Sequence, residues 1–180
     1  MKISARLLIV GFVSAVLLAC ATVPSAFAQT TLTAEQEQKI SANCTSIKAS
    51  LNQLKATDAL LRVNRGQVYE AMATKLMDRF NSRLSTNNLD ATGPSLITGN
   101  YRSALESFRS DYSTYERLLV AAIKVDCTHQ PAEFHAAVEL ARDARSTVHD
   151  DVTRLHRIID DYRLAVGDFL LNYARVAGDE

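Results

Sequence analysis

The chain has 180 residues, enough for one domain with its own core, and its formal charge is zero. Hydrophobic residues make up 47% and charged residues 22%, an ordinary globular balance that argues against a disordered chain. Electroneutrality, with no evident basic run, removes the usual argument for nucleic acid as a partner.

Residues 1–28 read as a signal peptide. Lys2 and Arg6 form a charged start, Leu7 to Ala19 a short apolar core, and Ala26-Phe27-Ala28 carries small residues where a signal peptidase reads. Cleavage after Ala28 leaves Gln29 as the first mature residue. The apolar run falls short of the roughly 20 residues of a membrane span, and nothing after it is apolar enough to span. A second reading stays open: Leu17-Leu18-Ala19-Cys20 resembles a bacterial lipobox, which would make Cys20 a lipidated N-terminus. On either reading the chain is exported, to the periplasm, the cell surface or the medium.

Residues 29–180 are expected to form a single all-α domain, an antiparallel bundle of three long helices over about 34–86, 95–127 and 131–177. Thr33-Ala34-Glu35-Gln36 has the form of a capping box, so helix one starts there. Ile40, Ile47, Leu54, Leu61 and Val68 follow at steps of seven, with Cys44, Leu51, Asp58, Arg65 and Met72 as the adjacent row. Gly66 costs a helix roughly 1 kcal/mol relative to alanine, which marks Arg62–Gly66 as the place for a kink. Asn87 to Pro94 is dense in turn formers. Helix two then carries Tyr101, Leu105, Phe108, Tyr112, Tyr115, Leu119 and Ala122 at alternating steps of four and three. Thr128-His129-Gln130-Pro131 turns the chain again, and Pro131 suits a first helical position.

Helix three has the longest pattern. Phe134, Val138, Ala141, Arg145, Val148, Val152, Leu155, Ile159, Tyr162, Val166, Phe169 and Tyr173 recur at four–three spacing, broken only by Arg145. This is the seam of a long helix packed against other long helices, with Leu155, Ile159 and Val152 expected among its least exposed residues.

Two cysteines, Cys44 and Cys127, survive removal of the signal. In an oxidising compartment they form one disulfide; the alternative is two small buried thiols. Antiparallel helices joined at residues 87–93 bring position 127 opposite the lower third of helix one, so the pairing is geometrically open. If the cysteines lie level, Asp58 and Arg145 fall at a common level further along, where two interruptions of opposite charge suggest a structural ion pair; the alternative is that each snorkels separately to solvent.

No catalytic constellation emerges. His149, His156 and Asp160 share a flank of helix three, but the two histidines are two turns apart, too far to ligate one ion. Asp150-Asp151 and Asp160-Asp161 read as surface charge. The tyrosines read as core with their hydroxyls reaching water. No cofactor or metal is expected, and the chain is not expected to be an enzyme.

Asn43-Cys44-Thr45-Ser46-Ile47-Lys48, Leu61-Arg62-Val63-Asn64-Arg65-Gly66-Gln67-Val68-Tyr69-Glu70, Asp126-Cys127 and Pro131-Ala132-Glu133-Phe134 resemble segments of a family of uncharacterised exported helical proteins from small-genome candidate-phylum bacteria. The resemblance covers most of the mature chain. It implies bacterial export and the disulfide, and carries no activity. A looser similarity, of architecture alone, is to periplasmic helical chaperones. The expected function is a non-enzymatic helical scaffold or interaction protein of the bacterial envelope or surface with an unknown protein partner, and a homo-oligomer stays open. The alternatives are a chaperone-like holdase and a lipid-anchored envelope protein through Cys20.

Overall fold

The computed structural model describes residues 32–178, with side chains to Val176, and among them it is all-α without a strand. The elements are α1 (Ala34–Ala42), α2 (Cys44–Ala71), a π-helical segment (Met72–Met77), α3 (Asp78–Thr86), α4 (Thr92–Lys124) and α5 (Pro131–Gly178). The expected signal peptide and Cys20 lie outside the described residues.

Thr33 caps α1. Its side chain accepts from the Gln36 amide, and Gln36 Oε1 accepts from the Thr33 amide at 2.8 Å. The helix then breaks at Asn43, whose side-chain amide donates to the Lys39 carbonyl at 2.8 Å. The Asn43 backbone leaves the helical region, at φ −105° and ψ 12°, and the next residue starts α2. Helix one is therefore not continuous from residue 34, as the periodicity led one to expect. It does not break at Gly66: α2 continues through it, because a single glycine weakens a helix without breaking it. The irregularity comes later, at the π segment. Two tyrosine hydroxyls face backbone carbonyls around it, Tyr101 on Tyr69 at 3.1 Å and Tyr162 on Met77 at 3.2 Å. Below, Cys44–Thr86 is called the helix-one arm.

α3 ends in a Schellman turn. Asn88 takes φ of 55°, Leu89 N–H donates to Leu84 at 2.9 Å and Asn88 N–H to Ser85 at 3.1 Å. Asparagine tolerates that left-handed backbone better than most residues. α4 begins at Thr92, earlier than expected, and takes in Gly93 and Pro94. A proline in the first turn forfeits only an N–H that has no intrahelical partner. α4 ends at Lys124, so Cys127 sits in the following loop rather than on a helix, yet it is fully buried.

Pairings fix directions. From the helix-one arm to α4 they descend: Cys44 with Cys127 beyond its end, Asp58 with Tyr115, Tyr69 with Tyr101, Asn81 with Thr98. To α5 they ascend: Asp58 with Arg145, Tyr69 with His156, Phe80 with Phe169. Exposed ion pairs Arg109–Glu70 and Arg102–Asp78 add to the arm–α4 contact.

The core lies in three tiers. Cys44, Cys127 and Phe134 close one end; Tyr112, Tyr115, Leu119 and Ala141 fill the middle; Tyr69, Met77, Tyr101, Phe108, Leu155 and Tyr162 anchor the largest cluster. Every residue of the α4 row is buried, because α4 meets both other arms. On α5 the buried set is shifted. Leu155 is fully buried, but Asp151 and Ile158 are buried where Val152 and Ile159 are only half-buried. A helix flanked by two partners buries a face wider than a single seam, so residues on both sides of Leu155 are covered. After Tyr162 no described residue of α5 is buried, and Tyr173 is exposed. On α2 the row expected to face the core at Leu61 and Val68 is exposed, and no residue from Ala59 to Val68 is buried.

Candidate functional site

The middle of α2 stands off from α5. No Cα of α2, the π segment or α3 comes within 8 Å of one in α5. At the level of Asp58 what spans the gap is polar. Asp58, on α2, is buried, and Arg145 of α5 grips it with a fork: Nε donates to Oδ2 at 2.8 Å and Nη2 to Oδ1 at 3.2 Å. Tyr115 of α4 donates its hydroxyl to the same Oδ2 at 2.7 Å. All three arms thus meet at one carboxylate.

Burial raises the Asp58 pKa, but the bonds from Arg145 and Tyr115 outweigh it and hold the carboxyl below its usual range. The Tyr115 hydroxyl is pushed up, first by burial and then by its bond to Asp58. The hydrogen bond to Asp58 leads the causes that raise the Arg145 pKa. Arg145 keeps about half its side chain exposed, whereas Asp58 keeps 9%. The guanidinium is the lid of the network and the carboxylate its floor.

Beside this network lies a cleft of about 160 Å³. Asp58, Leu61, Arg62 and Arg65 form its α2 wall, Phe108 and Tyr115 of α4 its floor, and Arg145, Val148, His149 and Val152 its α5 wall. Arg62 lies over the Tyr112 ring, 5.0 Å from the centroid, and Arg65 sits by the Tyr69 hydroxyl. Among the described residues neither makes an ion pair with a carboxylate. The cleft thus holds three guanidinium groups against one carboxylate, which Arg145 already satisfies. Sequence reading found no basic patch because these cations come from two helices far apart in the chain. Spacing offered one signal: Arg62 and Arg65 are an i, i+3 pair on α2, with Asp58 one turn before Arg62 as the single acidic neighbour on that face.

At the end of the molecule Cys44 and Cys127 form a disulfide with Cα atoms 5.4 Å apart. The histidine flank is divided: Tyr69 hydroxyl engages His156 Nε2 at 3.1 Å, while His149 lines the cleft. Among the described residues no three His, Cys, Asp or Glu side chains converge.

One residue read as surface charge is buried. Asp151 is 9% exposed, its Oδ2 has no hydrogen-bond partner, and it pairs with Asp111 of α4. Burial, then the bond to Asp111, raises its pKa to about 6, with Asp150 adding and Arg154 opposing. Two carboxyls held this close favour keeping one proton between them as pH falls toward that value. Position 151 lies directly beside Val152 of the seam, which is the sequence signal that was available.

Compared with known proteins, the chain matches no family model, no curated protein and no solved structure.

Proposed function

We propose that the chain is an exported, non-enzymatic helical scaffold or interaction protein of the bacterial cell envelope or surface, of the family its segments resemble. Its arms are read as one antiparallel bundle of three: the helix-one arm with α1, then α4, then α5. The Cys44–Cys127 disulfide carries the reading. Such a bond persists in an oxidising compartment and is rare in the cytosol. It joins the start of α2 to the loop before α5, so it locks the end of the frame from which the arms extend. α5, at 48 residues, spans about 70 Å at 1.5 Å per residue, a rigid rod suited to holding a partner at a distance.

A specific observation favours the holdase as a second reading. Leu164, Leu170, Leu171, Tyr173 and Val176 expose apolar surface along the last turns of α5.

Fractionation of the native host, with thiol blocking before lysis, tests the first reading. The protein is expected outside the cytoplasm with both thiols blocked by the disulfide. A cytoplasmic protein with two free thiols overturns it. Mass spectrometry of the N-terminus decides between Gln29 and a lipidated Cys20. Suppression of aggregation of an unfolded client, lost when Leu171 and Val176 become lysine, would favour the holdase.

A further inference from the structure

We propose that the cleft between α2 and α5 binds a small carboxylate whose apolar body is about one aromatic ring, with Arg62 and Arg65 taking its charge. The inference goes beyond the scaffold reading and does not depend on it.

Charge comes first. Arg145 spends its fork on Asp58, and Tyr115 completes that carboxylate. Arg62 and Arg65 remain, one helical turn apart, lining the same cleft with no carboxylate bound to either among the described residues. Guanidinium forks match a carboxylate in shape, and two forks from adjacent turns favour a planar anion over a bulky one.

Size comes second. At about 160 Å³ the cleft is close to the roughly 150 Å³ of a cavity that holds benzene. That is space for one ring or a short chain, and too little for a lipid tail.

Chemistry of the walls comes third. Leu61, Phe108 and Val152 are apolar, so a bare inorganic anion would leave them facing water, while a ring would cover them. The apolar body and the charge are thus both required. Access is open, because the middle of α2 carries no buried residue.

The test is an NMR titration of the purified chain, disulfide intact, with three probes: benzoate, acetate and benzyl alcohol. Benzoate is expected to bind saturably and to shift the Leu61 and Val152 methyls and the Arg62 and Arg65 side-chain N–H signals. Acetate lacks the body and benzyl alcohol the charge, so each binds at least tenfold more weakly. Arg65→Gln weakens benzoate at least tenfold. Leu61→Trp, which fills the cleft from an exposed position, abolishes it. Lys75→Gln, outside the cleft, leaves it unchanged. Thermal unfolding confirms that the variants fold; if one does not, the three probes on the parent protein decide. Benzoate binding no tighter than acetate, or undiminished in folded Arg65→Gln and Leu61→Trp, overturns the proposal.

Discussion

Where α5 runs along α4, the buried residues include Ala104, Ala122 and Ala141, and the two backbones lie close over much of their length. Where α5 faces the helix-one arm, the bridging side chains are long, Arg145 on Asp58, His156 on Tyr69, Tyr162 on Met77 and Phe169 on Phe80, and the backbones stay more than 8 Å apart. Small side chains let helices approach; long ones that must reach each other hold them off. The same helix therefore has a dry, close neighbour on one side and a propped, accessible one on the other. The cleft lined by Arg62, Arg65 and Arg145 lies on the propped side.

The two sides should respond differently when broken. The propped arm depends on its covalent staple, so removing it should have the largest effect. Reduction, or the double change of Cys44 and Cys127 to serine, frees a separation of 83 residues. In the chain-entropy model this costs about 4–5 kcal/mol. Denaturant titrations of oxidised and reduced protein measure it. Hydrogen exchange under reducing conditions should show α2 losing protection before α4 and α5 do.

Next comes Leu155→Ala, at the fully buried centre of α5. A cavity there should cost about 3–4 kcal/mol, because close-packed neighbours cannot collapse into it. A loss below half a kilocalorie in the same titration would mean that the close side is not packed as described.

The Asp58 network should cost less. Asp58→Ala removes the acceptor from Tyr115 and Arg145, for about 2–3 kcal/mol, moderated because Arg145 is half exposed and can rehydrate. A double-mutant cycle with Arg145→Ala should give a coupling of about 1–2 kcal/mol, whereas strictly additive effects would show that the prop contributes nothing.

The smallest effect is on the close side and has the opposite sign. Asp151→Asn should stabilise the fold by about 1–2 kcal/mol at pH 7, since an amide can donate to Asp111 without charge. The folded Asp151 pKa, about 6, lies above its ordinary 3.8. Between those values the native state holds more protons than the unfolded one. Its stability therefore falls as pH rises through that window, and the penalty is full above it. Asp58 runs the other way: its lowered pKa adds stability above its unfolded value, and this is lost as pH falls through the folded one. Urea midpoints from pH 3 to 8 for the parent and for Asp151→Asn separate the two slopes. Identical slopes in both proteins would remove Asp151 as the cause.

Much of this contrast was legible, and the exceptions are instructive. Leu105, Phe108, Tyr112, Tyr115 and Leu119 recur at four–three spacing and all are buried, because α4 has partners on both flanks. The α2 rows were harder. Leu61 and Val68 continue a seven-residue pattern but face solvent, since the arm is propped away at their level. The π segment had no sequence mark, and the tyrosines that bond carbonyls at its two ends come from distant α4 and α5. For the same reason the cleft could not be read: Arg62, Arg65 and Arg145 become neighbours only when two helices distant in the chain are laid side by side.

Sequence alone determined the all-α class, the cap at Thr33, the loops before α4 and α5 and the apolar row of α4, because capping, turn chemistry and periodicity act within a few residues along the chain. It also marked Cys44 and Cys127 as a candidate pair, and the structure joins them. Tertiary structure alone decided which flank of α5 would be close and which open, that Asp151 would be buried against Asp111, and that three arginines would share a cleft. Those outcomes depend on the distance between backbones, and that distance follows from which side chains, small or long, the packed arms present to each other.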